Sequence, residues 1–284
     1  MEHVVRSAYF SKLQSAMVRG GQHKFLPYTT LNEKFNVLAR EYPPAGVYPT
    51  LAYLAIGRGG MGMMLGADGK PEVAIHQHKT TDAALFDHMP FSLRPLDNDL
   101  PPERRSRYAM RVQRQFNGVT YWAYYLKRVD FSQSDTDLFL KRTLPDGSSS
   151  VEEFIPDESN LNPVPVDLSD SGTNLLAGMS VIASTIITLP LDDFDIAEIR
   201  KASEIMKQAT GKAIVTEVAL CTGTPKLINA PGANGTFSFH EAIGVQIASF
   251  IQALYALDYI NQDLSDQLEL GISEPLFKLE GVNT

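Results

Sequence analysis

The sequence predicts an α+β fold: a β-hairpin-rich mixed sheet with flanking helices and a C-terminal β-α-β-loop-α element. Three observations carry that expectation. Two runs rich in Tyr, Val, Phe and Trp, within Tyr108–Asp130, flank Asn117-Gly118, the dipeptide that most favours a two-residue hairpin turn. A second hairpin pattern surrounds Asp146-Gly147, between Asp137–Thr143 and Val151–Ile155. Apolar residues at helical spacing occur over Val4–Val18 and Phe194–Ala209.

The elements follow in order. Val5, Ala8, Tyr9, Leu13, Ala16 and Met17 form one apolar stripe over Val4–Val18, and Gly20-Gly21 closes it. Leu31–Arg40 reads as a second helix, with Thr30 as its cap, Glu33 at capping-box spacing and Pro43-Pro44 as its stop. Thr50–Ile56 reads as a buried strand and Glu72–Lys79 as another, with a short helix over Thr81–His88. Pro156–Gly172, rich in Pro and Asp, reads as a long loop. Met179–Leu189 reads as a strand. Phe194–Ala209 is a helix capped by Asp192 or Asp193 and stopped by Gly211, and Lys212–Cys221 is a strand. That β-α-β order implies a parallel pair with a crossover helix. Thr222–Phe237 reads as a Gly/Pro/Asn loop, and Phe239–Ile260 as a last helix with Ser238 and Glu241 in capping-box spacing. Residues 1–48 thus form an N-terminal helical segment and 49–284 the main domain.

Composition narrows the function. The 284 residues carry a net charge of −8, which argues against generic binding to nucleic acid or anionic membrane. Hydrophobic residues at 44% and charged residues at 20% fit a globular chain. The single cysteine, Cys221, excludes an internal disulfide and a cysteine zinc cluster, and reads as an inert core thiol. No apolar run approaches the ~18 residues of a membrane span. Met1–Arg6 lacks a signal-type core, so synthesis and folding in the cytosol are expected.

Each chemical motif has a structural rival. Gly57-Arg58-Gly59-Gly60-Met61-Gly62 follows a strand and invites comparison with a phosphate loop. No helix start or Gly-Lys-Ser/Thr ending follows, so an interface-forming loop is the better reading. His76 and His78 share a strand face, a spacing that can hold a metal, but nothing supplies a third ligand. There is no Gly-x-Ser-x-Gly elbow. Asp192, Asp193 and Asp195 open a helix, where its dipole favours them. Asn234-Gly235-Thr236 matches a glycosylation acceptor without a secretory signal to give it meaning.

The one notable charge cluster is Arg104, Arg105, Arg107, Arg111 and Arg114, with Lys127 and Arg128 on the opposing strand. It reads as a solvated hairpin face, a subunit interface or a surface facing DNA. Asp130, Asp135, Asp137, Glu152, Glu153, Asp157 and Glu158 follow it, and patches of opposite sign suit head-to-tail association of identical subunits.

One ordered set of tracts adds a resemblance. Ala55-Ile56-Gly57-Arg58-Gly59-Gly60 and Gly66-Ala67-Asp68 stand upstream of Thr81–Pro95 and Asn98-Asp99-Leu100. Arg107-Tyr108-Ala109, Asn117-Gly118, Tyr124–Arg128 and Glu217–Gly223 follow. The set resembles a family of virion structural proteins of tailed bacteriophages, of the neck or tail-connector kind. The resemblance spans Pro49–Gly223 and implies a non-enzymatic protein without metal or cofactor. It implies a homo-oligomeric ring or sleeve at the head–tail junction or in the tail. The implied partners are identical subunits, other neck, portal or tail proteins, and translocating DNA by non-specific contact, with no membrane. The implied location is the virion, after synthesis in the host bacterial cytoplasm. A tail-sheath or baseplate component is the near alternative. A small metal- or nucleotide-dependent enzyme using His76, His78 and the Gly57–Gly62 loop is the alternative of another class.

Overall fold

The computed structural model describes residues 3–132, 134–144, 146–163, 179–188, 191–207, 212–232, 235–257 and 267–275. The fold is mixed α+β, with an antiparallel main sheet and a few helices. The chain divides into two compact units, one of Met1–Asp130 with Leu191–Leu264, the other of Phe131–Pro190 with Ser265–Thr284.

The first unit is built on an eight-stranded sheet. Its strands are β1 (His3–Arg6), β2 (Thr50–Gly57), β5 (His88–Met89), β6 (Ser92–Pro95), β7 (Tyr108–Phe116), β8 (Val119–Arg128), β12 (Ala213–Gly232) and β13 (Gly235–Leu257). The order is β1-β13-β12-β2-β8-β6, with β5 paired to β2 and β7 to β8. A separate two-stranded ribbon joins β3 (Met61–Leu65) to β4 (Pro71–Ile75). The helices are α1 (Ala8–Val18), α2 (Leu31–Phe35), α3 (Pro102–Arg105) and, after α4 (Glu158–Leu161) of the second unit, α5 (Asp193–Lys207). Leu31 and Phe35 of α2 enter one core with Tyr53, Tyr125, Val245, Ile247 and Phe250.

The β7–β8 hairpin turns at Asn117-Gly118, as its dipeptide predicts. Both residues hold positive φ, 50° and 81°, the backbone of a tight hairpin turn. α1 is shorter than expected at its start: residues 3–6 pair with β13 as β1, and Ser7 caps the helix. α2 ends at Asn36, in the left-handed region at φ 54°, well before the prolines.

Four expectations are corrected. Residues 239–257, the larger part of the expected last helix, lie in β13. From Ala242 onward the run is mainly apolar, broken by Gln246, Ser249 and Gln252, as suits a strand held between β1 and β12. The end of that expected helix, 258–260, lies outside the described residues. The loop expected at Thr222–Phe237 is the far part of the β12–β13 hairpin, its residues 233–234 also outside them. Beyond Gly223, β12 pairs only with β13, so Pro225 sits where no second strand needs its missing N–H. The β-α-β parallel pair does not form, because the strand before α5 belongs to the other unit and β12 runs antiparallel to both its neighbours. The helix expected over Thr81–His88 is absent too. Its backbone N–H groups are drawn to tertiary partners described below.

The second unit is a four-stranded antiparallel sheet, ordered β10-β9-β11-β14. Its strands are β9 (Asp137–Thr143), β10 (Ser149–Glu153), β11 (Met179–Thr188) and β14 (Gln267–Pro275). β9 and β10 form the hairpin signalled by Asp146-Gly147, with Gly147 at φ 82°. Within the expected loop, Asp157 and Asn160 cap a one-turn helix α4 (Glu158–Leu161). Residues 164–172 of that loop, and the helix stop at Gly211, lie outside the described residues.

Candidate functional site

Glu217 is the centre of the most constrained cluster. It lies in β12 between Gly57 of β2 and Gln252 of β13, and is fully buried. A buried carboxylate is tolerable only when its lone pairs are met. Here Oε1 accepts from the N–H of Gly59 at 2.6 Å and of Asp87 at 3.3 Å, and Oε2 from Phe86 N–H at 2.9 Å. Oε2 also faces His78 Nε2 at 3.0 Å. The other ring nitrogen of His78 faces Asp82 Oδ2 at 3.0 Å, and that oxygen also accepts from Lys79 N–H. The imidazole lies between Phe86 and Phe250, 4.0 Å from each ring centroid. Carboxylate oxygens only accept, so both contacts are met when each ring nitrogen carries a hydrogen.

The Gly57–Gly62 loop folds down onto this carboxylate. Gly60 N–H donates to Thr216 Oγ1 at 3.0 Å, and Arg58 pairs with Asp87 at 2.5 Å. A Cβ on Gly60 would lie 2.4 Å from the Thr216 carbonyl oxygen. Glycine is required here by close approach to the protein's own backbone. Gly60→Ala is therefore expected to cost about 1–3 kcal/mol of stability. A urea midpoint equal to the parent's would show that the loop is not held against Thr216.

The arginine-rich hairpin meets carboxylates and aromatic rings of its own unit. Asp192 and Asp195 cap α5 reciprocally: Asp195 N–H donates to Asp192 Oδ1 at 3.0 Å, and Asp192 N–H to Asp195 Oδ2 at 3.2 Å. Asp195, fully buried, also accepts from Arg107 at 2.8 Å, from Lys127 and from the Tyr108 hydroxyl. Burial pushes the Tyr108 phenol far up, with the Asp195 charge adding to it. Burial likewise pushes the Lys127 ammonium down, and its bond to Asp195 opposes that. Desolvation would raise Asp192, but bonds from Asp195 and Arg107 outweigh it and hold the carboxyl at about 2.

The remaining cations are engaged in the same way. Arg111 pairs with Asp99 at 2.5 Å and lies over the Trp122 ring, while Asp99 also accepts from Tyr124. Arg128 donates to the Tyr53 hydroxyl and to the His240 carbonyl. Arg104 stacks on Phe194, Arg105 on Phe239, and Arg114 on Phe35 and Tyr125. Each of the seven is buried or half-buried. Glu198 accepts from Ser92 at 2.5 Å and Arg94 at 2.9 Å. Glu241 accepts from the N–H groups of Met110, Arg111 and Ala242. Met110, at φ 58°, occupies a left-handed backbone that this carboxylate helps hold.

His88 has a different role. It is buried against Phe35, and its Nε2 accepts from Leu85 N–H at 3.1 Å, which requires the neutral ring. Burial first, then the charges of Lys34 and His78, push it down from 6.5 to about 3. The unfolded chain therefore binds more protons between those values, and stability falls with pH below 6.5. About 2 kcal/mol is expected to be lost between pH 7 and pH 5 through this residue. Urea titrations at both pH values check it, with His88→Gln expected to show a smaller loss. An equal loss in parent and variant would exclude His88 as the source.

The structure thus separates the expected site residues. His78 enters the Glu217 cluster with the Gly57–Gly60 segment. His76 instead holds Gly59, through Nδ1 at 2.8 Å from its carbonyl. Among the described residues no group of three His, Cys, Asp or Glu is placed to hold a metal ion. Cys221 is fully buried, and burial pushes its thiol far up. Sequence reasoning missed Glu217, Glu241, Asp195, Glu198 and His88 as structural centres. The available signal was a lone carboxylate inside each apolar strand run, and Asp195 and Glu198 three apart on a helix.

Fold and clusters together define an α+β protein whose ionisable side chains tie loops and helices to an antiparallel sheet. Over residues 1–284 the chain matches the model described as a family of unknown function (DUF7208), and it belongs to that family. No curated protein and no solved structure matches it. No helix among the described residues is long and apolar enough to cross a membrane.

Proposed function

We propose that this chain is a non-enzymatic structural subunit of a tailed-bacteriophage virion, assembling with its own copies into a ring or sleeve. One observation carries the structural role: the groups that acid–base chemistry would need open, His78, Glu217, Asp195 and Glu198, are buried and bonded to side chains or backbone of their own unit. Their arrangement fits a rigid building block. The set of tracts spanning Pro49–Gly223 supports the virion assignment. The rival enzyme, using His76, His78 and the Gly57–Gly62 loop, would require the Glu217 cluster to open.

Position at the head–tail junction is the first choice, and tail sheath or baseplate the second. Charge distribution favours a site along the DNA path. The second unit carries thirteen Asp and Glu against three Lys and Arg, while the first is near balance. An acidic lining lets DNA slide past without sticking. Partners would be identical subunits, neighbouring neck, portal or tail proteins, and DNA by non-specific contact. Mass spectrometry of purified virions should find the protein in stoichiometric multiples, and electron microscopy should place it. Particles lacking it would overturn the assignment.

A further inference from the structure

We propose that the exposed basic surface of α1 and the segment after it docks on the acidic β10–α4 segment of a second copy of this chain, a contact that rests on the self-assembly reading above. Residues 3–32 contain Arg6, Lys12, Arg19 and Lys24 and no Asp or Glu. Lys12, Arg19 and Lys24 are exposed, and none of them meets a carboxylate among the described residues. Lys12 Nζ donates to the Lys24 carbonyl at 2.7 Å, and Arg19 Nε to the Ser15 carbonyl at 3.0 Å. The first of these bonds draws the segment after Gly21 alongside α1, so the cations share one surface. That segment alternates, with Gln22, Lys24 and Leu26 exposed and His23 and Phe25 half-buried. Val18, Leu26 and Tyr28 of the same stretch are 88%, 42% and 94% exposed. The arginines in and beside the β7–β8 hairpin, by contrast, are all engaged within their own unit.

The second unit presents the counterpart. Residues 144–163 contain Asp146, Glu152, Glu153, Asp157 and Glu158 and no Lys or Arg. β10 is an edge strand, and all of its residues are exposed. Glu152 pairs with the exposed Arg142 at 3.2 Å, while Glu153 and Glu158 meet no cation among the described residues. Val151, Ile155 and Leu161 stand between and beside these carboxylates and are 57%, 66% and 64% exposed.

The two surfaces complement each other in charge, and both interleave charge with exposed apolar side chains. Opposite signs select the partner and its orientation. Exposed ion pairs are individually weak, so the apolar side chains supply the rest of the affinity. Duplex DNA would meet the cations but sets phosphates where Val18 and Leu26 need apolar contact. An anionic membrane would meet the basic surface and leave the acidic one unused. A second copy accounts for both at once. The contact is heterologous, one copy's α1 end against the next copy's second unit, and such contacts close into rings or extend into sleeves. It leaves the remaining acidic residues of that unit for the DNA path.

Two charge-reversed full-length chains test this, Lys12→Glu/Arg19→Glu/Lys24→Glu and Glu152→Lys/Glu153→Lys/Glu158→Lys. In sedimentation velocity at low salt the parent should self-associate, and each variant alone should do so at least ~10-fold more weakly. An equimolar mixture of the two variants should associate again, because opposite signs then face each other. Circular dichroism and urea midpoints should stay near the parent's, since all six positions are exposed. A second measurement needs no variant and serves if a reversed chain misfolds. An equimolar mixture of unlabelled and heavy-nitrogen-labelled parent, treated with a carbodiimide, should join Lys12 or Lys24 to Glu153 or Glu158 in peptide pairs carrying one label of each kind. Variants that associate as the parent does, with linked peptides always of one label, overturn this contact and leave self-assembly standing. A parent monomeric at every concentration overturns both. Binding of the parent to duplex DNA or to anionic lipid vesicles that the first variant loses, with no association in the mixture, overturns the contact and assigns the basic surface to that polyanion.

Discussion

Glu217→Ala is expected to destabilise the first unit by about 3–5 kcal/mol, enough to unfold a marginal domain. The substitution removes one acceptor group and strands four donors at once. The N–H groups of Gly59, Phe86 and Asp87 lose their partner, and so does the His78 ring. Each buried donor left unmet costs about 1–3 kcal/mol, although water entering the vacated space limits the sum. Glu217→Gln keeps the shape and one acceptor oxygen but turns an amide NH₂ toward donors, so it should recover only part of the loss. Urea unfolding followed by Trp122 fluorescence and circular dichroism measures both variants. If alanine costs less than about 1 kcal/mol, the carboxylate is not the keystone of the Gly57–Gly62 and Thr81–His88 segments.

Asp195→Asn should cost a similar amount, about 3–5 kcal/mol, by a different route. The shape stays nearly the same while the anion disappears. Lys127 is almost fully buried, with a side chain 4% exposed, and its nearest compensating charge is Asp195. Arg107 retains Asp192 at 2.8 Å and is better protected. The reciprocal cap of α5 loses one of its two charged members as well. Lys127→Met in the Asp195→Asn background should recover part of the stability, because it removes the stranded cation. Equal losses in the single and double variants would show that the cap, and not the ion pair, is the source.

Local rules read correctly where the deciding physics is local. Asn117-Gly118 needs only two residues that accept positive φ, and that requirement is written in the dipeptide. Thr30 and Asp192 are caps because a side-chain oxygen reaches an N–H three residues on. Sequence reading failed where distant partners decide. Over Thr81–His88, a Thr cap and apolar spacing suggest a helix. The N–H groups of Phe86 and Asp87 instead bond to Glu217, some 130 positions away in the chain. Over 242–257, a largely apolar run suits a buried helix and a buried strand equally. The choice was made by β1 and β12 on either side, and Ser238-x-x-Glu241 misled because Glu241 serves Met110 and Arg111 instead of its own helix start.

The sequence alone determined the α+β class, both hairpin turns, the cap of α5, the inert setting of Cys221 and an uneven spread of charge. Each of these depends on residues within a few positions of one another or on composition. Only the tertiary structure decided that Arg107, Arg111, Lys127 and the other cations in and beside the β7–β8 hairpin close onto Asp99, Asp192, Asp195 and aromatic rings of their own unit. It alone decided that the glycine loop serves a buried carboxylate. The physical reason is that a buried charge must find its partner wherever the fold brings one, and chain separation carries no record of that.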